Sequence, residues 1–273
     1  MSGTLFVVGT PIGNLGDISP RALETLSNCD FIAAEDTRVT LKLLNRFEIK
    51  KPMVSYFEHN RFERGPVIAE RILSGESCAL VTDAGMPAIS DPGEDLVKLC
   101  IEKGIKVESV PGPCAFATAL AVSGMPSKRF TFEGFLPMEK GERKEHIALL
   151  VGEQRTMIFY EAPHKLMQTL KDLFNALGDR EIAIVRELTK IHEQVIKTTF
   201  AAALEKYSEE AIKGEIVLIV RGAEKPEKIQ MTLEQAAEYA RELVAKGEGK
   251  SDAAKIAAKE SGLKKGDIYK MLV

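Results

Sequence analysis

From Thr4 to Val110, short runs of β-branched and aliphatic residues alternate with longer stretches whose apolar positions recur every three or four residues. The runs Thr4–Gly9, Phe31–Ala34, Met53–Tyr56, Cys78–Thr82 and Lys106–Val110 predict strands. The segments between them, Arg21–Asn28, Val39–Phe47, Gly65–Ser74 and Glu94–Lys103, predict helices. Such alternation implies a parallel sheet covered by helices on both faces, and ligands bind such sheets beyond the carboxyl ends of the strands.

A second rhythm follows. Strands are predicted at Thr131–Phe135, Thr156–Tyr160, Glu181–Arg186, Val195–Phe200 and Glu215–Val220, with helices at Glu142–Leu150, His164–Leu177 and Ala201–Glu209. Val195–Phe200 follows Glu181–Arg186 too closely for a helical crossover, so an antiparallel pair and a mixed sheet are expected. After Arg221-Gly222 comes the charged stretch Glu224-Lys225-Pro226-Glu227-Lys228, and the remainder reads as helical. Ser251 is the expected N-cap of a helix over Asp252–Glu260, Ser261-Gly262 breaks it, and Lys264–Leu272 resumes. The expectation is two α/β domains, 1–113 with a parallel sheet and 114–223 with a mixed sheet, joined through Val110–Pro113. A helix-turn-helix-like extension spans 224–273.

Composition narrows the class. Apolar residues are 45% and charged residues 28% of the chain, the balance of a folded protein. The start, Met1-Ser2-Gly3-Thr4, runs directly into a strand, and no apolar stretch is long enough for a membrane span, so a cytoplasmic protein without membrane contact is expected. Cys29, Cys78, Cys100 and Cys114 are scattered, which gives neither a disulfide framework nor metal-ligand spacing, and buried thiols are expected. Net charge is −3, so any surface for a polyanion must be local. The extension holds 10 Lys+Arg against 9 Asp+Glu and does not read as a DNA-binding module.

The chemistry concentrates in loops. Thr82-Asp83-Ala84-Gly85-Met86-Pro87-Ala88-Ile89-Ser90-Asp91-Pro92-Gly93 follows a strand and precedes a helix. Its glycines, prolines and aspartates specify an irregular backbone that can offer amides and a carboxylate. Gly9–Asp17 follows the first strand, and Val110–Ala115 follows the fifth and enters a helix of small residues over which a flat ligand could lie. Gly9, Gly13 and Gly16 are not a dinucleotide fingerprint, because the position that must admit pyrophosphate is Pro11. In the second half, Phe159–Lys165 and Arg186–Glu193 each place charged side chains directly after a strand. No catalytic serine elbow and no Walker loop is present.

The motifs GTPIGNLGDIS, AEDTR, TDAGMPAISDPG, VPGPCA, FYEAPHK and RELTKIHE occur in this order. Together they resemble the small-subunit ribosomal RNA methyltransferase I family within the tetrapyrrole methylase superfamily. The resemblance implies two α/β domains with S-adenosylmethionine in the cleft between them and S-adenosylhomocysteine as product. It also implies a homodimer and 2′-O-methylation of a cytidine in the decoding region of 16S rRNA within the 30S subunit. By analogy, cofactor contacts fall on Thr10, Pro11, Asp83, Met86, Ala88, Ala115, Phe116, Tyr160, Glu161, Leu188 and the chain near Gly222. Relatives often carry an apolar residue where this chain has Glu161, which makes Glu161 a candidate for the chemistry itself.

Transfer from a sulfonium to a ribose hydroxyl needs alignment and a base. Glu161 or Glu187 is the candidate base, with Lys190 or His164 tuning the site or holding phosphate. Arg38 and Arg186 are candidates to hold RNA backbone, since a guanidinium fork matches phosphate oxygens. No metal is expected. Two other readings compete: a methyltransferase for a small tetrapyrrole, and a non-enzymatic nucleic-acid-binding protein built around the extension.

Overall fold

The computed structural model describes residues 2–210, 212–224 and 231–273. Most of the charged stretch that begins at Glu224 therefore lies outside the described residues. The chain divides into two compact units, Met1–Ala223 and Glu224–Val273.

The first unit holds two five-stranded sheets. In the first, β1 (Thr4–Val8), β2 (Phe31–Ala34), β3 (Met53–Ser55), β4 (Cys78–Val81) and β5 (Lys106–Val110) are ordered β3-β2-β4-β1-β5, with every pairing parallel. Helices α1 (Pro20–Asn28), α2 (Thr37–Arg46), α3 (Arg61–Leu73) and α4 (Gly93–Glu102) connect them. Successive strand residues point to opposite faces, so β2 sends Phe31 and Ala33 into one core with Ile68, Ile72 and Leu96. It sends Ile32 and Ala34 into another with Leu26 and Leu44. A strand buried on both faces needs no polar alternation, which is why β2 and β4 read as unbroken apolar runs.

The second sheet is mixed: β6 (Phe130–Gly134), β7 (Thr156–Glu161), β10 (Ile216–Val220), β8 (Glu181–Arg186) and β9 (Gln194–Thr199) lie side by side in that order. Only β6 and β7 pair in parallel; the remaining pairings, including the expected β8–β9 pair, are antiparallel. Helices α6 (Lys140–Leu149), α7 (Leu166–Leu177) and α8 (Phe200–Glu209) belong to this half. On one face Met157, Phe159, Leu170, Phe200 and Leu218 form a core. On the other, Ile158, Val185, Val217 and Ile219 pack with Ala119 and Leu120 of α5 (Ala115–Ser123) and with Ile12 from the loop after β1. That last cluster joins the two halves.

Element ends differ from the sequence reading by a residue or two, with local causes. The segment expected as a helix from His164 opens with a 3-10 turn over Pro163–Lys165 before α7 begins. Helix α6 starts at Lys140 because the Glu139 carboxylate caps it, accepting the Glu142 N–H at 2.9 Å.

The second unit contains α9 (Leu233–Ala245), α10 (Lys250–Ser261) and α11 (Lys265–Lys270) around a core of Ala236, Ala240, Ala253, Ala254, Ala257 and Ile268. Thr232 and Gln235 form a reciprocal capping box on α9. Ser251 is not the N-cap: Gly249 is, and Ser251 lies in the first turn of α10, where its hydroxyl accepts from Lys265 Nζ at 3.0 Å. Gly262, at φ 73°, ends α10. No helix among the described residues is long and apolar enough to cross a membrane.

One contact fixes how the first sheet presents its loops. A Cβ on Gly112 would lie 2.8 Å from the Cα, carbonyl carbon and oxygen of Gly9, so the loops after β5 and β1 cross backbone to backbone. Gly112→Ala forces them apart, and such overpacking costs about 1–3 kcal/mol. At roughly 2–4 °C per kcal/mol for a protein of this size, thermal unfolding should show a midpoint several degrees lower. An unchanged midpoint would show that the crossing gives way without cost.

Candidate active site

The loop Thr82–Gly93 carries two non-glycine residues in the left-handed region, Ala88 at φ 65° and Ser90 at φ 63°. Such residues cost roughly 1–3 kcal/mol each and persist where their surroundings impose them. Here Asp91 imposes the shape. Its Oδ1 accepts the N–H groups of Ala88 at 2.9 Å and Gly93 at 2.8 Å, and its Oδ2 accepts that of Ile89 at 3.4 Å. Burial nonetheless pushes the Asp91 carboxyl up, against these three donors.

The loop after β1 is sewn to this one. Thr10 and Gly85 exchange backbone hydrogen bonds of 2.9 and 3.1 Å, and the Thr10 hydroxyl donates to the Thr82 carbonyl at 3.2 Å. The end of β2 joins as well. Glu35 accepts the Thr82 hydroxyl at 2.5 Å, and Asp83 accepts the Asp36 N–H at 3.1 Å. Burial and the neighbouring Glu35 push the Asp83 carboxyl up. Asp36 goes the other way, held at about 2 by the hydrogen-bonded Arg38 guanidinium.

Facing this rim, the second sheet contributes the end of β7 and the start of β10, which its antiparallel course brings level: Ile216 pairs with Glu161 and Val217 with Tyr160. Together the elements enclose a cleft of about 400 Å³, within the roughly 300–1,000 Å³ typical of small-molecule sites. Its walls are largely apolar, with Ile12, Met86, Ile89, Leu188 and Val217, while Glu35, Asp91, Glu161 and Glu215 bring carboxylates. Among the described residues no Lys, Arg or His lines it. Burial pushes the Tyr160 phenol up to about 12, so it stays protonated. That hydroxyl accepts the Phe116 N–H at 3.2 Å, which pins the start of α5 to β7.

Glu161 sits at the end of a buried chain of hydrogen bonds. Arg143 Nη2 donates to the Thr169 hydroxyl at 2.8 Å, and Thr169 in turn donates to Glu161 Oε2. The other oxygen, Oε1, accepts the Ala162 N–H at 2.8 Å. A guanidinium can only donate, so the chain has one polarity, and both Glu161 oxygens end it as acceptors. Asp172 holds Arg143 in place through Nε at 2.7 Å.

Of the residues singled out from sequence, Met86, Ala115, Tyr160, Glu161 and Leu188 line the cleft. Thr10, Pro11, Asp83 and Lys190 line an adjoining recess of about 340 Å³. Ala88 shapes the loop from behind, and the Phe116 ring stacks on Phe132 at 4.6 Å. Gly222 is not at the cleft. It lies beyond the far end of antiparallel β10, where a Cβ would meet the Gln154 carbonyl at 2.1 Å; Glu215 and Ile216 take the cleft end instead. His164 is exposed, in the 3-10 turn after the cleft strand. Glu187, at φ 53°, faces Lys190 and Glu215 rather than the cleft: its Oε1 accepts Lys190 Nζ at 3.0 Å and the Glu215 N–H at 3.1 Å. The Lys190 bond holds the Glu187 carboxyl below its usual range. Burial pulls the Lys190 ammonium down, but its bonds to Glu187 and Glu215 outweigh that and raise it.

Arg38 spends Nε and Nη2 on Asp36 at 3.0 and 2.6 Å, and Arg186 spends Nε on the Lys213 carbonyl at 3.0 Å and Nη1 on Gln194 at 2.9 Å. Glu35, Asp91, Thr169 and Arg143 were not picked out from sequence. Only the first two belong to quoted motifs. Cys29, Cys78 and Cys100 are buried thiols and Cys114 is partly buried. Among the described residues no group of three or more His, Cys, Asp or Glu side chains is placed to hold a metal ion.

Residues 4–204 match the model of the tetrapyrrole (corrin/porphyrin) methylases. The chain belongs to that family. A tetrapyrrole methylase relative from Synechocystis, named ribosomal RNA small subunit methyltransferase I, is 44% identical over 98% of this chain and 97% of its own length. A relative of the same name from Thermotoga maritima is 46% identical over 222 residues, which are 81% of this chain and 100% of that protein. Among solved structures, the Thermus thermophilus uroporphyrin-III C-methyltransferase complexed with S-adenosyl homocysteine superposes with a TM-score of 0.57. It is 17% identical and covers 80% of this chain and 97% of its own, a likeness of fold.

Asp83 supplies a test of how this family member balances stability against its site. Its folded pKa is raised from the ordinary 3.8, so ionised Asp83 opposes folding above that raised value, and the effect vanishes below 3.8, where both states are protonated. Asp83→Asn should unfold at a higher temperature than wild type at pH 7, with the difference shrinking to nothing as pH falls below about 3.8. A destabilised variant at pH 7 would show that the charge is compensated in place.

Proposed function

We propose that this chain is an S-adenosylmethionine-dependent methyltransferase that modifies the ribose 2′-hydroxyl of a cytidine in the decoding region of 16S rRNA. The observation that carries the reading is the near-full-length likeness, 44% over 98% of the chain, to a relative named for small-subunit rRNA. The cleft suits the cofactor: apolar walls and the small Ala115 accept an adenosyl group, and converging carboxylates match an ammonium and a sulfonium. S-adenosylmethionine supplies the methyl group and leaves as S-adenosylhomocysteine; alignment and proton removal fall to the protein.

Glu161 is the proposed base: it lines the cleft with both oxygens held as acceptors by Thr169 and Ala162, whereas Asp91 is spent on the shape of its own loop and Glu35 on Thr82. Glu187 is the lesser candidate, because Lys190 already holds its charge. Lys190, on the adjoining recess, and exposed His164 remain candidates to meet phosphate. Arg38 and Arg186 are proposed to hold RNA backbone with the guanidinium N–H groups not spent on their protein partners. We place the domain boundaries at 113/114 and 223/224 and propose a cytoplasmic homodimer acting on the 30S subunit. Methylation of a small tetrapyrrole is the second reading, favoured by the family match itself.

The test uses radiolabelled S-adenosylmethionine with 30S subunits from a strain lacking the enzyme, and mass spectrometry of nuclease digests. Label on a ribose 2′-oxygen of 16S rRNA is the expected result; label on a porphyrinoid but not on RNA favours the second reading. In the same assay Glu161→Gln should lower turnover on the order of 10²–10⁴-fold with cofactor binding retained, and Glu187→Gln far less. Wild-type turnover in both variants would remove the base assignment.

A further inference from the structure

A groove of about 840 Å³ lies between α6 and α7, outside the cleft described above. Ile147 and Val151 contribute apolar floor, and Lys140, Lys144 and Lys165 stand along it. Lys140 and Lys144 are one helical turn apart on α6, so they share a face. None of the three lysines has a carboxylate within 4.0 Å among the described residues, and the one acid in the groove, Asp172, is neutralised by Arg143 at 2.7 Å. A protein of net charge −3 thus carries three lysines along one groove with no ion-pair partner among the described residues.

The groove begins beside the cleft, on the continuation of two segments that line it. Phe135 lines the cleft and Pro137 and Met138 line the groove; Pro163 lines the cleft and Lys165 the groove. Lys165 Nζ rests 2.7 Å from Met138 Sδ, which closes the two segments over one another. Two residues span at most about 7 Å, so a chain leaving the cleft meets the groove almost at once. Phe135, tilted against Tyr160 at 5.5 Å, is still 58% exposed at the edge of the cleft and leaves ring surface on which a base can stack. Behind the wall, Arg143 connects the groove through Thr169 to Glu161.

We propose that this groove seats the RNA strand flanking the acceptor nucleotide, with Lys140, Lys144 and Lys165 on its phosphates and Phe135 under the adjacent base. The proposal rests on the rRNA reading above and adds the route by which the strand reaches the cleft. Lipid or protein would also meet an apolar floor, but three cations along one groove beside an exposed ring, next to a site proposed to take a nucleotide, match a single-stranded polyanion.

The test is the full-length double variant Lys140→Glu/Lys144→Glu, with Lys140→Gln/Lys144→Gln as the neutral control; both positions are exposed on α6, so folding is undisturbed. Methyl transfer to unmethylated 30S subunits is followed at several salt concentrations, with cofactor affinity measured separately. The expected result for the charge reversal is a KM for subunits raised tenfold or more, kcat within about twofold and cofactor affinity unchanged. The neutral pair should give a smaller KM effect. The dependence of log(kcat/KM) on log salt should flatten by roughly 1.5 for two lost phosphate contacts. An active wild type with indifferent variants overturns the groove alone. Variants that change oligomeric state rather than salt dependence also overturn it and assign the groove to a contact between copies. A wild type that labels neither subunits nor free rRNA overturns the functional reading, and the groove with it.

Discussion

The two hydrogen bonds exchanged by Thr10 and Gly85 are the constraint on which the site depends. Strands β1 and β4 are neighbours in a parallel ladder, but a ladder ends where its strands end, and the loops beyond are free to part. The Thr10–Gly85 bridge carries the pairing past the strands and holds the loops at one height. On one side it fixes Thr82, which engages Glu35; on the other it leaves Gly9 where only another glycine, Gly112, can pass. Asp91 then shapes the remainder of the β4 loop from within. The bridge sets where the loop starts, and the Asp91 bonds hold the strain at Ala88 and Ser90.

This dependence explains what could be read from sequence. The three loops of the first half belong to the site because a parallel sheet presents the carboxyl ends of its strands on one side, and periodicity alone reveals those strands. The mixed second sheet was legible in outline, since seven residues between β8 and β9 leave no room for a crossover. Its consequence for the site was harder to see. Gly222 follows a strand, as Gly9 and Thr82 do, but β10 runs antiparallel to β7, so its amino end reaches the cleft and Glu215 stands there. Strand direction is a tertiary fact that no local pattern carries.

The roles of single charges were less legible still. Arg38, Arg186 and Glu187 look alike in sequence, each a charged residue just after an apolar strand. In the structure Arg38 is bound to Asp36, Arg186 ties the ends of the β8–β9 pair, and Glu187 folds onto Lys190 and the Glu215 backbone. Glu161 differs because its partners are buried and come from α6 and α7. Thr169 and Arg143 are eight and eighteen residues from it along the chain, in helices whose pattern says only that they are amphipathic. A network of this kind leaves no trace in spacing.

A cleft lined by four carboxylates and, among the described residues, by no Lys, Arg or His is a poor neighbour for a polyanion, yet the arrangement separates the two demands. Burial raises Asp91 in the cleft and Asp83 in the adjoining recess, so ionising either works against desolvation. A cationic sulfonium and ammonium relieve that cost on binding, while a phosphate would worsen it. The cleft thereby favours the cofactor over the RNA backbone, and on the function proposed above the part of the nucleotide that enters is neutral, its sugar hydroxyl. Positive charge is then useful only outside the cleft. Lys190 stands there on one side, and Lys140, Lys144 and Lys165 on the other. A net charge of −3 hides this division, because the sum adds an acidic interior to a basic approach.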